Sequence, residues 1–135
     1  MNAIAERVAL DTDVVSRLLR GSLTNDIAER LTGAVMLITF VTVGELFRGA
    51  VHARWGPSRI ATLTSWLNEI PAIPSDSAVA RRWGELTGSA LRAGRPLPAN
   101  DAWIAACCLV HGVALATYNL RDFERIDALQ IITAR

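Results

Sequence analysis

The chain contains no lysine and only two cysteines and two histidines among its 135 residues. All fourteen basic side chains are therefore arginines, which excludes mechanisms that need a lysine, including the lysine-containing phosphate loop of many nucleotide-binding proteins. Cys107 and Cys108 are adjacent, a spacing that suits neither a zinc site nor a disulfide framework, so we expect both to pack in the core. Neither His52 nor His111 stands in a recognisable nucleophile motif, which leaves triad chemistry without support.

The sequence also lacks a long apolar run suited to crossing a membrane. Its longest uncharged stretch, residues 102–120, is interrupted by polar residues and a glycine and carries helix and then strand signals. An apolar leader is not predicted, because Glu6 and Arg7 stand where its apolar region would lie. Hydrophobic residues make up 51% of the chain, which is enough for a core. We therefore expect one cytoplasmic domain over residues 1–135.

Short apolar runs alternate with helical patterns along the chain. The runs that predict strands are residues 8–11, 35–39, 70–73 (the weakest, because prolines flank and interrupt it), 113–117 and 129–133. The helical patterns cover residues 14–20, 25–31, about 42 onward, about 57–68, 75–92 and the apolar run after Asn100, and residues 118–125 are expected to form a loop. Continuous apolar strands separated by helices predict a parallel sheet covered on both faces. The expected fold class is α/β, in three layers.

Carboxylates follow several of these predicted strands. In a parallel α/β sheet the ligand site lies beyond the carboxyl ends of the strands, so the loops there are the ones to inspect for chemistry. The polar residues that these loops would bring together are Asp11, Asp13, Glu45, Asp101, Asn119 and Asp122. Their separations in the sequence are large, and only the fold could place them side by side.

Structural roles offer an alternative explanation for these carboxylates. Asp13 can cap the first helix, and Glu45 completes a T-x-x-E capping box with Thr42. Asn100 can cap the helix that contains Asp101, where an acid in the first turn also complements the helix dipole. Asp76 likewise starts a helix after a strand, and we assign it no chemistry.

A shared pocket of four carboxylates needs compensation for the repulsion between them. Two unit charges about 4 Å apart repel by roughly 1 kcal/mol in water and by about 4 kcal/mol at an effective dielectric constant of 20. Mg²⁺ or Mn²⁺ would supply that compensation, because these ions prefer carboxylate oxygens and retained waters and can hold a phosphate as well. One or two such ions would activate a water and neutralise charge on a scissile phosphodiester.

Three stretches of the sequence carry a resemblance to a known family. They are LDTDVVS at residues 10–16, VGELFRGA at residues 43–50 and NDAWIAACCLVHGVALATYNLRDFERI at residues 100–126. In this order they resemble the PIN-domain nucleases, specifically the VapC-type ribonuclease toxins of bacterial toxin–antitoxin pairs. The resemblance extends over nearly the whole chain, and the third stretch is long and fairly specific.

The resemblance implies a site for Mg²⁺ or Mn²⁺ built from acidic residues. Carried over position by position, the metal-binding acids fall on Asp11, Glu45 and Asp101. The last position falls near Asn119 and Asp122. Many relatives have an acid at the position of Asn119, so either Asp122 supplies the fourth carboxylate or Asn119 binds through its amide oxygen. The carboxylates would act in catalysis by positioning ions, with no covalent attack.

The resemblance further implies endonucleolytic cleavage of RNA by a homodimer that a cognate antitoxin holds inactive. The residues expected to orient the ligands or the metal-bound waters are Thr12, Asp13 and Thr117. The arginines expected to hold the RNA backbone are Arg17, Arg20, Arg48 and Arg95. The apolar helices around residues 55–66 are the expected contact surface of the dimer.

Two other functions stay open from the sequence. The stretch VALDTDVV also matches the start of haloacid-dehalogenase-like phosphatases, in which Asp11 would be the nucleophile. That fold requires a late pair of acids and usually a lysine, and neither occurs here. An inactive PIN-like RNA-binding module would keep the fold without the activity, and Asn119 is the residue that favours this alternative. A receiver domain is excluded by the missing lysine.

Overall fold

A parallel five-stranded sheet forms the centre of the computed structural model, which describes residues 5–134. In chain order its strands are β1 (Arg7–Leu10), β2 (Val35–Thr39), β3 (Ala72–Ile73), β4 (Ala114–Ala116) and β5 (Ile131–Ile132). The spatial order is β3-β2-β1-β4-β5, with parallel pairing throughout. All five predicted strands are confirmed, although each of the two edge strands has only two residues.

Seven helices accompany the sheet in the described part of the chain. They are α1 (Thr12–Arg20), α2 (Asn25–Leu31), α3 (Phe40–His52), α4 (Pro57–Glu69), α5 (Ser77–Arg92), α6 (Ala99–His111) and α7 (Leu120–Phe123). The prediction of an uninterrupted loop over residues 118–125 is wrong, because α7 forms within it. This helix has only one turn and is held by Phe123, whose side chain is completely buried. None of the described helices is long and apolar enough to cross a membrane.

Alternate residues of the central strand pack on opposite faces of the sheet, as the twofold period of a strand requires. Ala9 of β1 packs with apolar side chains of α5, α6 and α7. Its neighbours Val8 and Leu10 pack with those of α1 and α2 on the other face. Two hydrophobic cores therefore enclose the sheet, and the predicted three-layer α/β/α class is confirmed.

The strand register brings three loops together at the edge of the sheet that the carboxyl ends of the strands form. Leu10 pairs with Ala116 of β4, while Ala9 pairs with Leu37 of β2 on the other side. Because the strands are parallel, the segments that follow β1, β2 and β4 leave the sheet side by side. Asp11 directly follows β1 and so lies between the two neighbouring segments. This edge is the one at which the sequence predicts a ligand site.

The predicted caps of α1 and α3 are wrong. Asp11, in extended conformation with φ −65° and ψ 158°, caps α1, so Asp13 lies inside the first turn. Thr39 ends β2 and at once caps α3 by accepting a hydrogen bond from the Thr42 amide at 3.4 Å. Since strand passes directly into helix here, α3 begins at Phe40 and Glu45 lies in its second turn. Glu45 therefore takes part in no capping box and is available for other contacts.

The start of α6 also differs from the prediction, whereas the start of α5 is as predicted. Pro98 occupies the capping position of α6, with no side-chain hydrogen bond to the helix start, so Asn100 and Asp101 fall in the first turn. Asp76 caps α5 and accepts a hydrogen bond from the Val79 amide at 2.9 Å. Cys107 and Cys108 are both buried, as predicted, and both thiols are free.

Candidate active site

Asp11 is the buried carboxylate of the site. Its Oδ1 accepts a hydrogen bond from the Thr12 amide at 2.9 Å, and its Oδ2 accepts one from the Thr117 hydroxyl at 2.7 Å. Burial raises the pKa of Asp11 to about 6, the Thr117 hydroxyl opposes this, and the charges of Asp13 and Asp101 add to the rise. Asp11 is therefore costly to ionise in the folded chain, although two hydrogen bonds already stabilise its anion.

Asp101 projects from the first turn of α6 toward the same edge of the sheet. Its carboxylate makes no hydrogen bond or ion pair with any residue of the described chain. Burial raises the pKa of Asp101 to about 6, and the charges of Asp122 and Glu45 raise it further. Together with its effect on Asp11, this coupling indicates that carboxylates from three other chain segments lie within electrostatic reach of Asp101.

Glu45, a residue of α3, is held by a hydrogen bond from α1. Its Oε1 accepts a hydrogen bond at 2.7 Å from the hydroxyl of Thr12, which in turn lies 3.0 Å from the hydroxyl of Thr42. The other oxygen, Oε2, lies 3.7 Å from a guanidinium nitrogen of Arg48, whose side chain is 73% exposed. An exposed pair of this kind neutralises little charge. Thr12 thus orients Glu45, in agreement with the role that the family resemblance implies for it.

Asp13 holds the segment that follows β4. Its Oδ2 accepts hydrogen bonds from the Tyr118 amide at 3.3 Å and from the side-chain amide of Asn119 at 3.2 Å. Burial raises the pKa of Asp13, and the hydrogen bond from the Tyr118 amide and the charge of Arg17 oppose the rise. The second oxygen, Oδ1, is buried without a hydrogen-bond partner in the structure of residues 5–134. A water or another donor is required to satisfy it.

Asn119 and Asp122, the two alternatives for the last position of the acidic set, differ in their contacts. Asn119 is exposed and directs its amide nitrogen at Asp13. Asp122 lies three residues further on, in α7, and its charge acts directly on Asp101. Asp122 therefore acts electrostatically on Asp101, whereas Asn119 contacts Asp13 and fixes the loop that follows β4.

The donor set fits a hard divalent cation in kind and in charge. The candidate ligands are carboxylate oxygens, which Mg²⁺ and Mn²⁺ prefer. As the side chains stand, no three His, Cys, Asp or Glu residues between residues 5 and 134 group around one position for an ion. Mg²⁺ commonly keeps several of its waters and binds through one or two carboxylates, so a wider cluster still suits it. The unpartnered Asp13 Oδ1 is an acceptor that such a water could satisfy.

Comparison with known proteins identifies the family. The sequence profile of the PIN domain matches residues 8–129. The chain belongs to the PIN-domain family. It is 26% identical to Ribonuclease VapC1 of Haemophilus influenzae over 125 residues, covering 90% of this chain and 92% of the relative. It is 31% identical to Ribonuclease VapC4 of Mycobacterium tuberculosis over 108 residues, covering 78% of this chain and 82% of that one.

Solved structures agree with this assignment of the PIN domain. VapBC-1 from nontypeable Haemophilus influenzae superposes with a TM-score of 0.83 at 25% identity, covering 94% of this chain and 97% of the other. A DNA-bound VapBC from Salmonella typhimurium superposes with a TM-score of 0.81 at 27% identity, covering 95% and 98%. The predicted PIN fold, the VapC-type family and the enzyme class of a nuclease are thereby confirmed.

The four arginines predicted to hold the RNA backbone occupy different parts of this PIN domain. Arg48 pairs with Glu45 at the site, and the Arg17 guanidinium lies 4.2 Å from the centre of the Tyr118 ring, beside the loop that Asp13 holds. Arg20 is exposed at the end of α1. Arg95 lines a separate groove of about 610 Å³ along α5, which none of the candidate acids lines. Of the four, Arg48 and Arg17 therefore lie nearest the acids.

A pocket of about 320 Å³ beside Glu45 is a feature that the sequence reasoning missed. Its walls include the aromatic rings of Phe40 and Trp103 and the side chain of Asn100. Trp103 stands two residues after Asp101, inside an apolar run that indicates only core packing. The available signal was the presence of a tryptophan close to Asp101 on the same helix.

Proposed function

We propose that this PIN-domain protein is a Mg²⁺- or Mn²⁺-dependent endoribonuclease and the toxin of a type II toxin–antitoxin pair. The relatives named above are ribonucleases, and the similar solved structures are VapBC assemblies. A further relative, 30% identical over 95 residues, is a tRNA(fMet)-specific endonuclease VapC from Shigella flexneri, covering 70% of this chain and 72% of the relative. These names support RNA as the substrate.

The observation that carries the proposal is the electrostatic cost of the acidic cluster. The pKa values of Asp11 and Asp101 are both raised to about 6 by burial and by neighbouring carboxylates. Within residues 5–134 the only ion pair that Asp11, Glu45, Asp101 and Asp122 make with a basic side chain is the long one between Glu45 and the exposed Arg48. Charge repulsion of this kind is not needed to cap a helix, and a divalent cation would relieve it.

The residues that would hold the ion, directly or through its retained waters, are Asp11, Glu45, Asp101 and Asp122. A bound divalent cation makes water a stronger nucleophile at neutral pH and stabilises the negative charge that develops on the phosphate. The chain supplies the rest of the chemistry by position. Thr117 fixes the Asp11 carboxylate and Thr12 that of Glu45, while Asp13 anchors the loop that leads to α7.

We further propose a cognate antitoxin and a second copy of the chain as partners. The similarity to VapBC assemblies supports the antitoxin. The dimer and its contact surface around residues 55–66 rest on the family resemblance. The cytoplasm is the proposed compartment, because it is where RNA is available to a toxin.

The two alternative functions gain nothing from the structure or the comparisons. In a phosphatase of the haloacid-dehalogenase type Glu45 would have no role, yet here a 2.7 Å hydrogen bond from Thr12 holds Glu45, and the charge of Glu45 acts on Asp101. An inactive RNA-binding module would not require a cluster of carboxylates whose ionisation is costly. We therefore retain the nuclease as the single proposed function.

RNA cleavage by purified, antitoxin-free protein tests this proposal. Wild type, Asp101→Asn and Asp76→Asn are incubated with total RNA in Mg²⁺, Mn²⁺ or chelator, and the new ends are sequenced. We expect discrete, metal-dependent ends from wild type and Asp76→Asn and none from Asp101→Asn. The Asp76 variant is the matched control, because it neutralises a carboxylate at the start of a different helix. Folded wild-type protein that cuts no RNA with either metal would contradict the proposal.

A further inference from the structure

The pocket of about 320 Å³ opens directly beside the acidic cluster, and Glu45 belongs to both. We propose that this pocket binds one unpaired nucleobase of the RNA, adjacent to the phosphodiester that is cleaved, and thereby selects the cleavage position. The proposal deepens the proposed function and rests on it. Three groups carry the argument: the ring of Trp103, the side-chain amide of Asn100 and the guanidinium of Arg48.

The Trp103 ring is held rigidly in the wall of the pocket. Trp83 stacks on it with ring centres 4.8 Å apart and an angle of 12° between the planes. Phe40 meets it edge-on, with centres 5.7 Å apart and an angle of 74°. The Trp83 indole N–H also donates to the carbonyl of Ala99 at 3.4 Å, which ties the stacked pair to the first residue of α6. A fixed aromatic wall of this kind is a surface on which an unpaired base stacks.

Asn100 supplies a group that can read the edge of a base. It is exposed, lines the pocket, and makes no side-chain hydrogen bond with any described residue. Its amide offers two donor hydrogens and an acceptor oxygen, the combination with which asparagine pairs with base edges. Because Asn100 directly precedes Asp101, the group that would contact the base and an acid of the candidate metal site are consecutive in the chain.

Arg48 supplies the positive charge for the phosphate that joins this base to its neighbour. Its side chain is 73% exposed at the rim of the pocket, and its ion pair with Glu45 is long at 3.7 Å. A phosphate is a stronger partner for a guanidinium than one distant carboxylate. The ring of Trp103, the amide of Asn100 and the guanidinium of Arg48 together suit a base with its phosphate. An apolar side chain of a protein partner would contact the Trp103 ring and leave the two polar groups without partners.

Sequence preference at the cut tests the subsite. A random-sequence single-stranded RNA pool is digested in Mn²⁺ by wild type, Trp103→Leu, Trp103→Phe, Asn100→Ala and Asn68→Ala, and all ends are sequenced. We expect wild type to prefer one base at a position that flanks the cut. Asn100→Ala should lower that preference roughly 5- to 100-fold, the range for loss of one bidentate base contact. Trp103→Leu should lower kcat/KM by roughly the same range, and Trp103→Phe should recover part of it.

The matched control, Asn68→Ala, removes an exposed asparagine from α4 and should leave both the rate and the preference at wild-type values. If circular dichroism shows that Trp103→Leu does not fold, Asn100→Ala alone tests the subsite, because the side chain of Asn100 is exposed and makes no hydrogen bond with the described residues. Cleavage by wild type with an unchanged preference in Asn100→Ala would overturn the nucleobase subsite and leave the nuclease standing. Absence of cleavage by wild type would instead overturn the proposed function, and the subsite with it.

Discussion

Replacing Asp101 by asparagine separates the two explanations of its presence at the start of α6. The exchange keeps the size of the side chain and removes only its charge. If the carboxylate serves to complement the helix dipole, its loss destabilises the protein. If it belongs to a cluster built around a cation, its loss stabilises the protein whenever the cation is removed. The direction of the change in the free energy of unfolding therefore decides between them.

The expected magnitude follows from the pKa of Asp101, which is raised from 3.8 to about 6. A shift of two units corresponds to about 3 kcal/mol between the two protonation states. Because the side chain is partly exposed, solvent screening reduces this to about 1–2 kcal/mol. Loss of an acid from the first turn of a helix costs about 0.3–1 kcal/mol. The variant should thus be more stable than wild type by about 1 kcal/mol at neutral pH in chelator.

Thermal unfolding followed by circular dichroism measures this difference. In chelator, Asp101→Asn should melt roughly 3–5 °C above wild type for a domain of this size. Added Mn²⁺ should reverse the order, since an ion at a hundred times its Kd stabilises the wild-type protein by about 2.7 kcal/mol. Asp76→Asn is the control, because asparagine also caps helices well and should change little in either buffer. An Asp101→Asn protein that melts below wild type in chelator would refute the reasoning.

Three further predictions concern the same groups. Asp11 has a pKa raised to about 6, so its stabilising contribution is greatest at low pH and is lost as the pH rises through 6. Denaturant titrations in chelator should therefore show the free energy of unfolding falling by about 1 kcal/mol between pH 5 and pH 7 from Asp11 alone. A rise in the free energy of unfolding over this range would contradict the prediction. Thr117→Val removes the 2.7 Å hydrogen bond to the Asp11 carboxylate and should lower the free energy of unfolding at neutral pH by about 2 kcal/mol, whereas an unchanged value would remove this bond from the account. Burial raises the pKa of Cys107 to about 12 and also raises that of Cys108, so neither thiol should react with a thiol reagent such as Ellman's reagent at neutral pH until the protein unfolds; fast labelling of the native state would contradict the buried positions.

The sheet and the main acids could be predicted from the sequence because each depends on local pattern and chain order. Continuous apolar runs such as that of β2 indicate strands buried on both faces, and parallel pairing then fixes which loops meet. Asp11 and Asp101 follow from that rule, since one directly follows a strand and the other lies at the start of a helix at the same edge. Their proximity needed no information about side-chain conformation.

The caps of α1, α3 and α6 and the short helix α7 could not be predicted because they depend on the backbone angles of single residues. Thr39 and Thr42 are both residues that can cap a helix, and only the extended conformation of Thr39 decides where α3 begins. The one turn of α7 has no periodicity to detect, and burial of Phe123 holds it in place. The choice between Asn119 and Asp122 depends in the same way on where that turn directs its side chains.

The pocket beside Glu45 could not be predicted from the sequence for a different reason. Its wall depends on Phe40, Trp83 and Trp103, which come from three different helices and meet only through tertiary packing. Apolar and aromatic residues at helical spacing predict burial, without saying which of them will border a cavity. Sequence pattern therefore located the acids, whereas the cavity beside them needed the packed structure.

Calorimetric titration of Mn²⁺ into chelator-treated protein tests the central claim most directly, namely that carboxylates from separate chain segments form one cation site. Wild type, Asp11→Asn, Asp101→Asn and Asp76→Asn are compared at the same pH and ionic strength. We predict saturable binding to wild type and to Asp76→Asn, and loss or strong weakening of that binding in each of the other two variants. Equal binding to all four proteins, or no saturable binding to wild type, would contradict the account.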